Sequence, residues 1–177
     1  MYDSDFQPEI YDWIKKKNNN RFGAVLECCI NYLDLRIHEN PEDLCTFITF
    51  DTSAEYIFES KKVNPNLIEE FGSNLDIGGG TYFYTGFELA FKLIKDENEK
   101  FKREKSVIVL LTDGGDCNST KTKKLLEEQL QNFPEVLIHT VGFGEAGNSQ
   151  DFLKEIAQMG KGDFHLAKDN IELGKSF

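Results

Sequence analysis

The sequence predicts an α/β fold: a doubly wound, mainly parallel sheet flanked by helices, in a single domain spanning residues 1–177. Three observations carry this expectation. From residue 106 onward the pattern runs strand, helix, strand, helix, strand, and such alternation implies parallel strands joined by crossover helices. The run "KSVIVLLTDG" has strand length and no polar alternation, as expected of a central strand covered on both faces. The chain has 177 residues, 40% of them hydrophobic, with 15 Phe and 6 Tyr, which suffices for one ordinary domain with a real core.

The elements follow in order. "MYDSDFQPEIYDWIKKKNNN" holds Ile10, Trp13 and Ile14 but no β-run, so residues 1–20 read as an irregular N-terminal segment. "NRFGAVLECCINYLDLRI" sets Phe22, Leu26, Cys29 and Leu33 along one helical stripe. "NPEDLC" is a turn. "TFITFDTSAEYIFES" contains two β-rich runs broken at "DTS", whose residues favour turns, and reads as a hairpin. In "NPNLIEEF", Asn64 is a candidate helix cap and Pro65 suits a first helical position. "DIGGGTYFYTGFELAFKLIKDENEKFK" is a glycine-rich loop entering a helix with Phe87, Ala90, Phe91 and Ile94 on one face. "TKTKKLLEEQLQNF" is a helix with Leu126, Leu130 and Phe133 in line, and "VLIHTVGFG" is a second buried strand. "SQDFLKEIAQMG" is a helix stopped near Gly160, and "GDFHLAKD" is a last, alternating strand. Residues 44–59, 106–113, 136–144 and 163–168 are expected to hold strands of one sheet, with 52–59 antiparallel to its neighbour.

Composition excludes some functions. The formal net charge is −11, which argues against a nucleic-acid partner, because phosphate binding needs a basic surface. No apolar stretch approaches the roughly 20 residues of a membrane span. The opening residues "MYDSDFQPEI" do not fit a signal peptide. Cys28, Cys29, Cys45 and Cys117 form no C-x-x-C pair and read as free thiols of a reducing, intracellular (cytoplasmic) compartment. The sequon at Asn118 carries no weight in that setting. His38, His139 and His165 match no ligand spacing, and His139 is expected to be a hydrogen-bonded structural histidine.

Asp113 ends the buried run, and Gly114 and Gly115 let the backbone turn sharply after it. Ligands of such sheets sit beyond the carboxyl ends of the strands, which is where this carboxylate falls. Capping the turn before the next helix is the alternative use for it.

Taken together, "FITFDTSAEYIFE", "GGGTYFYTGFELAF", "VIVLLTDG", "IHTVGFG" and "FLKEIAQMGKGDFHLA" resemble a von Willebrand factor type A domain from about Arg21 to the end of the chain. These segments resemble the family's second strand and hairpin partner, its glycine–threonine loop and central helix, its fourth strand with the T-D-G turn, and its fifth and last strands. The resemblance implies a Rossmann-like fold and a protein–protein interaction role without enzymatic activity. In many members a metal-ion-dependent adhesion site combines a D-x-S-x-S motif after the first strand, a threonine in a second loop and an aspartate in a third. Mg²⁺ prefers six oxygens and keeps several waters, so hydroxyls with few carboxylates leave it open to a partner's Asp or Glu. Carried over, the threonine is Thr81 and the aspartate Asp113. Gly79, Gly80, Gly114 and Asp116 are the candidate partner-binding positions around them. No family motif places Asp76 or Asp116 on the metal.

The departure is at the front. There is no D-x-S-x-S motif and no apolar strand ahead of the first helix; Asp3, Ser4 and Asp5 have no strand before them. The expectation is that central strand 1 is missing, with the family-like region (21–177) also cut short in its last helix, "NIELGKSF". The ion site would then be incomplete in this chain, and Mg²⁺ would be held only in a fuller protein. A metal-free scaffold of the same fold is the alternative. A metal-dependent phosphohydrolase with Asp113 as nucleophile is a weaker one, because the leading D-x-D acid pair is lacking.

Overall fold

The computed structural model describes residues 32, 33, 36, 38–40, 42–62, 64, 67, 80–100, 105–143 and 149–167. Among them the elements run β1 (Leu44–Phe50), β2 (Ala54–Lys62), α1 (Phe83–Lys100), β3 (Ser106–Thr112), α2 (Ser119–Asn132), β4 (Val136–Phe143), α3 (Ser149–Met159) and β5 (Lys161–Ala167). The helical stripe through Phe22, Leu26 and Cys29, the irregular segment 1–20 and the final "NIELGKSF" lie outside the described residues. Leu33 of that stripe is described and buried.

The hairpin turns where "DTS" predicts. Asp51 accepts from the Ser53 N–H at 2.8 Å and from the Thr52 hydroxyl at 3.2 Å, a side chain standing in for a backbone turn. The Ser53 N–H, foremost among several donors, holds the Asp51 carboxyl below its ordinary value.

The strands do not form the one sheet expected. Among the described residues β1 and β2 make an antiparallel pair, and β3, β4 and β5 make a separate parallel sheet in that order. Among the described residues β1 therefore pairs only with β2, and β3 only with β4. Among the described residues no strand lies between β1 and β3.

Helix α1 joins the two sheets. Its period sends Phe83, Phe87 and Phe91 into a core shared with Leu110, Leu126, Ile138, Leu153 and Ile156. Toward the hairpin, the Phe83 ring meets Phe50 edge-on at 5.9 Å, and the Tyr56 hydroxyl donates to the Leu89 carbonyl at 3.0 Å. Toward α3, Phe83 stacks on Phe152 at 6.3 Å.

The helices α1, α2 and α3 all pack on the face of the parallel sheet that carries Leu110 and Ile138. The opposite face of β3 is not covered as its apolar run predicts: Val107 is 54% and Val109 39% exposed. An apolar run reports a preference for burial, and burial still needs an element to supply it.

β4 and β5 approach unusually closely. Lys161 lies in the left-handed region at φ 56°, and a methyl at Gly162 would stand 2.2 Å from the Ile138 carbonyl oxygen. Gly162→Ala must therefore push the strands apart. Overpacking of this kind costs about 3 kcal/mol at the upper end of its usual range. Urea denaturation should show that loss, and an unchanged midpoint would contradict the close approach.

Candidate ion and partner site

The carboxyl ends of β1 and β3 converge on the segment entering α1. The Tyr82 N–H donates to the Asp51 carbonyl at 3.2 Å, fixing the end of β1. The Cys117 N–H donates to the Thr81 carbonyl at 2.7 Å, fixing the loop after β3. Both strands thus end at the N-terminus of α1.

This places Thr81 against the turn after β3. The Thr81 hydroxyl lies 3.8 Å from where a Cβ on Gly114 would stand. Gly80 is equally confined: a Cβ there would sit 3.0 Å from the Tyr82 ring and 3.9 Å from the Cys117 sulfur. The turn is held by Thr112, whose hydroxyl accepts from the Gly114 N–H and donates to the Gly114 carbonyl, both at 3.2 Å. Asp113 is exposed at the head of this turn, one residue beyond β3. The structure thus brings Thr81, Gly80, Gly114 and Asp113 into one neighbourhood. Gly79 and Asp76 lie outside the described residues.

Asp116 shows an internal role that the sequence reading passed over. Its Oδ1 accepts from the Phe83 N–H at 3.1 Å and the Asn118 N–H at 3.1 Å, and its Oδ2 from the hydroxyl of Thr122, which is fully buried. One carboxylate therefore ties the first turn of α1 to the start of α2. The signal was present in "DCNST", where an acid precedes the cap: Asn118 Oδ1 accepts from the Lys121 N–H at 3.2 Å.

His139 is hydrogen-bonded as expected, its Nδ1 accepting from the Asp163 N–H at 3.1 Å. Cys45 and Cys117 are free thiols. Burial pushes the Cys45 thiol up to about 11, whereas Cys117 is exposed beside Thr81. Thiolate is the reactive form, so at pH 8 iodoacetamide should label Cys117 well before Cys45. Cys45 should label only as the pH climbs toward 11. Mass spectrometry of the digested protein checks this, and equal labelling at pH 8 would refute it. The sign for stability follows: the raised pKa contributes stability that is complete below the unfolded thiol value and is lost as the pH rises through about 11.

The ligands for a metal fall short. Thr81 offers one neutral hydroxyl and Asp113 one carboxylate. The Asp116 carboxylate is already engaged with three donors and that of Asp51 with its own turn. Among the described residues no group of three or more His, Cys, Asp or Glu is placed to hold a metal ion. This donor set does not fit Mg²⁺, which releases its waters reluctantly.

An α/β sheet with a threonine loop and an aspartate turn at the carboxyl ends of its strands defines a type A architecture. Residues 12–115 match the von Willebrand factor type A domain family, and the chain belongs to it. An uncharacterized protein, sll0103, of Synechocystis sp. (strain ATCC 27184 / PCC 6803 / Kazusa) is 29% identical over 138 residues, covering 77% of this chain and 32% of that protein. Proximal thread matrix protein 1 from the mussel byssus has a similar structure, with TM-score 0.68 and 15% identity over 92% of this chain and 42% of that one. A form of the same mussel protein with a zinc-occupied MIDAS motif matches with TM-score 0.61 and 20% identity, over 92% of this chain and 40% of that one. The chain thus spans about a third of the bacterial relative and about two fifths of the mussel protein.

Proposed function

We propose that this domain is a protein–protein interaction module that presents the carboxyl ends of β1 and β3 to its partner. Thr81 and Asp113 form one half of an ion site. The other half, a carboxylate and two hydroxyls on a strand between β1 and β3, is not among the residues described. The observation that carries this reading is the convergence of both strand ends on Thr81–Phe83, while each strand pairs on one side only among the described residues. Support also comes from the family, whose members are typically non-enzymatic interaction modules, and from the zinc-occupied motif of the mussel protein. The partner reached through a divalent ion would offer an acidic side chain, and Gly80, Gly114 and Cys117 would stand at its edge. Cys45 and Cys117 are free thiols and the four cysteines form no C-x-x-C pair, which favours an intracellular setting for that partner.

As it stands the chain should bind no Mg²⁺ at about millimolar ion, because two protein ligands compete poorly with hydration. Titration calorimetry with Mg²⁺ and with Zn²⁺ tests this. Tight binding would mean that other residues complete the shell, with Asp3, Asp5 and Asp116 the first to substitute.

A further inference from the structure

We infer that His139 is a proton-operated latch between β4 and β5. Neutral, it holds the bulge of β5 through the Asp163 N–H. Protonated, it releases that N–H and turns to the Asp163 carboxylate. The register of the two strands sets this up. Ile138 pairs with Lys161 and Thr140 with Phe164, so Gly162 and Asp163 stand opposite His139 alone. Such a bulge is rare in a parallel pair, and it leaves a residue out of the ladder. Here the Asp163 N–H is received at 3.1 Å by an imidazole nitrogen, His139 Nδ1.

An imidazole accepts only through a nitrogen that carries no proton, so this bond requires neutral His139 with its proton on Nε2. Protonation makes Nδ1 a donor, and two N–H groups then face each other. The Asp163 carboxylate is at hand to receive the new donor. Its Oδ2 lies 3.7 Å from Nδ1, just beyond hydrogen-bond reach, on a side chain that is 76% exposed and free to turn. The released Asp163 N–H passes to water. The strands themselves have little room to adjust, because Lys161 is already in the left-handed region and the Ile138 carbonyl oxygen lies against Gly162. The change falls on the ring, the carboxylate and one amide. Histidine is the side chain whose ordinary charge change lies between about pH 5 and 8, so the latch answers to modest acidification.

Among the described residues the charged surroundings of the ring are few. Side chains alternate along β4, so His139 points away from α1, α2 and α3, which pack on the Ile138 face. β3 places uncharged Val109 in register with it. On β5 the titratable neighbours are Asp163, exposed His165 two residues on, and Lys161, whose ammonium donates to the Pro134 carbonyl at 2.9 Å. Asp163 is thus the residue that both states of His139 address, by its N–H in one and its carboxylate in the other.

Long-range ¹⁵N–¹H spectra of the labelled chain, which has 3 histidines, test this between about pH 8 and about pH 5. At the upper end His139 should be the Nε2–H tautomer, with a ¹⁵N–¹⁵N coupling across the hydrogen bond to the Asp163 amide. As His139 takes up its proton the coupling should vanish. The Asp163 amide should then lose about fivefold of its protection against exchange, the size of one ordinary hydrogen bond. His139→Asn sets a carbonyl oxygen where Nδ1 stood and cannot titrate, so its Asp163 amide should keep its protection across the range with His165 intact. A coupling absent at the upper pH overturns the inference, as does one that persists once His139 is protonated. So does an Asp163 amide that still loses protection in the His139→Asn protein. Should that variant fail to fold, the coupling in the unaltered chain decides alone.

Discussion

Adding an apolar strand that ends in D-x-S-G-S directly ahead of Met1 should turn a chain that binds no Mg²⁺ into one that binds it at a single site, and should raise its stability by roughly 10 kcal/mol. The stability figure comes from burying about five Val, Leu or Ile side chains at about 1.5–3 kcal/mol each. It is comparable with the whole net stability of an ordinary domain, about 5–15 kcal/mol. The strand would also pair with the edges of β1 and β3 that no described strand covers, and natural sheets seldom leave such edges open. The ion gain has a separate cause. The new residues would add a carboxylate and two hydroxyls to Thr81 and Asp113, giving a shell of the kind Mg²⁺ accepts. Asp113→Ala or Thr81→Ala in the extended chain should each abolish binding while leaving most of the stability gain. Calorimetry and urea denaturation on the four proteins separate the two effects. Stability gained without ion binding would favour a metal-free scaffold. Neither gained would mean that no strand belongs between β1 and β3.

Much of this architecture was legible because local chemistry decides it. "VIVLLT" has β-branched and aliphatic residues that suit a strand, and it is β3; Asp51 forms its turn with neighbours one and two residues away. Of the face read as Phe87, Ala90, Phe91 and Ile94, Phe87 and Phe91 are buried and Ala90 and Ile94 half-buried, and Phe83 one turn earlier extends it. What escaped the sequence depends on distant partners. Hydropathy cannot say which edge of β1 or β3 finds a neighbour, so the division into two sheets was not foreseen. The same limit applies to Val107 and Val109, whose covering element is not fixed by their own apolarity. At the site, Thr81 and Asp113 came from the pattern of the family's loops. The local half of the Asp116 role, at the start of α2, was signalled by "DCNST", but its tie to α1 rests on a donor 33 residues away, the Phe83 N–H, which no local motif reveals.

That role predicts a substantial loss. Asp116→Ala should destabilise the domain by about 3 kcal/mol or more, because it removes the acceptor for three donors at once. Hydrogen bonds to a charged group contribute about 1.5–3 kcal/mol each, and an orphaned buried donor costs about 1–3 kcal/mol. The Asn118 N–H is exposed and turns to water cheaply. The Phe83 N–H and the Thr122 hydroxyl do not, since Phe83 and Thr122 are buried in the packing of α1 and α2. Asp116→Asn keeps one oxygen and should cost about 1 kcal/mol, the ordinary size of a neutral hydrogen bond. Asn118→Ala, which removes only the cap of α2, should likewise cost about 1 kcal/mol. A cycle with Thr122→Val then isolates the buried contact: the two substitutions together should cost less than their sum, since each removes the same bond. Urea midpoints measure all of these. An Asp116→Ala protein as stable as the parent would free that carboxylate for the partner-facing role that its loop position suggests, and α1 would then have to be fixed to α2 by side-chain packing alone.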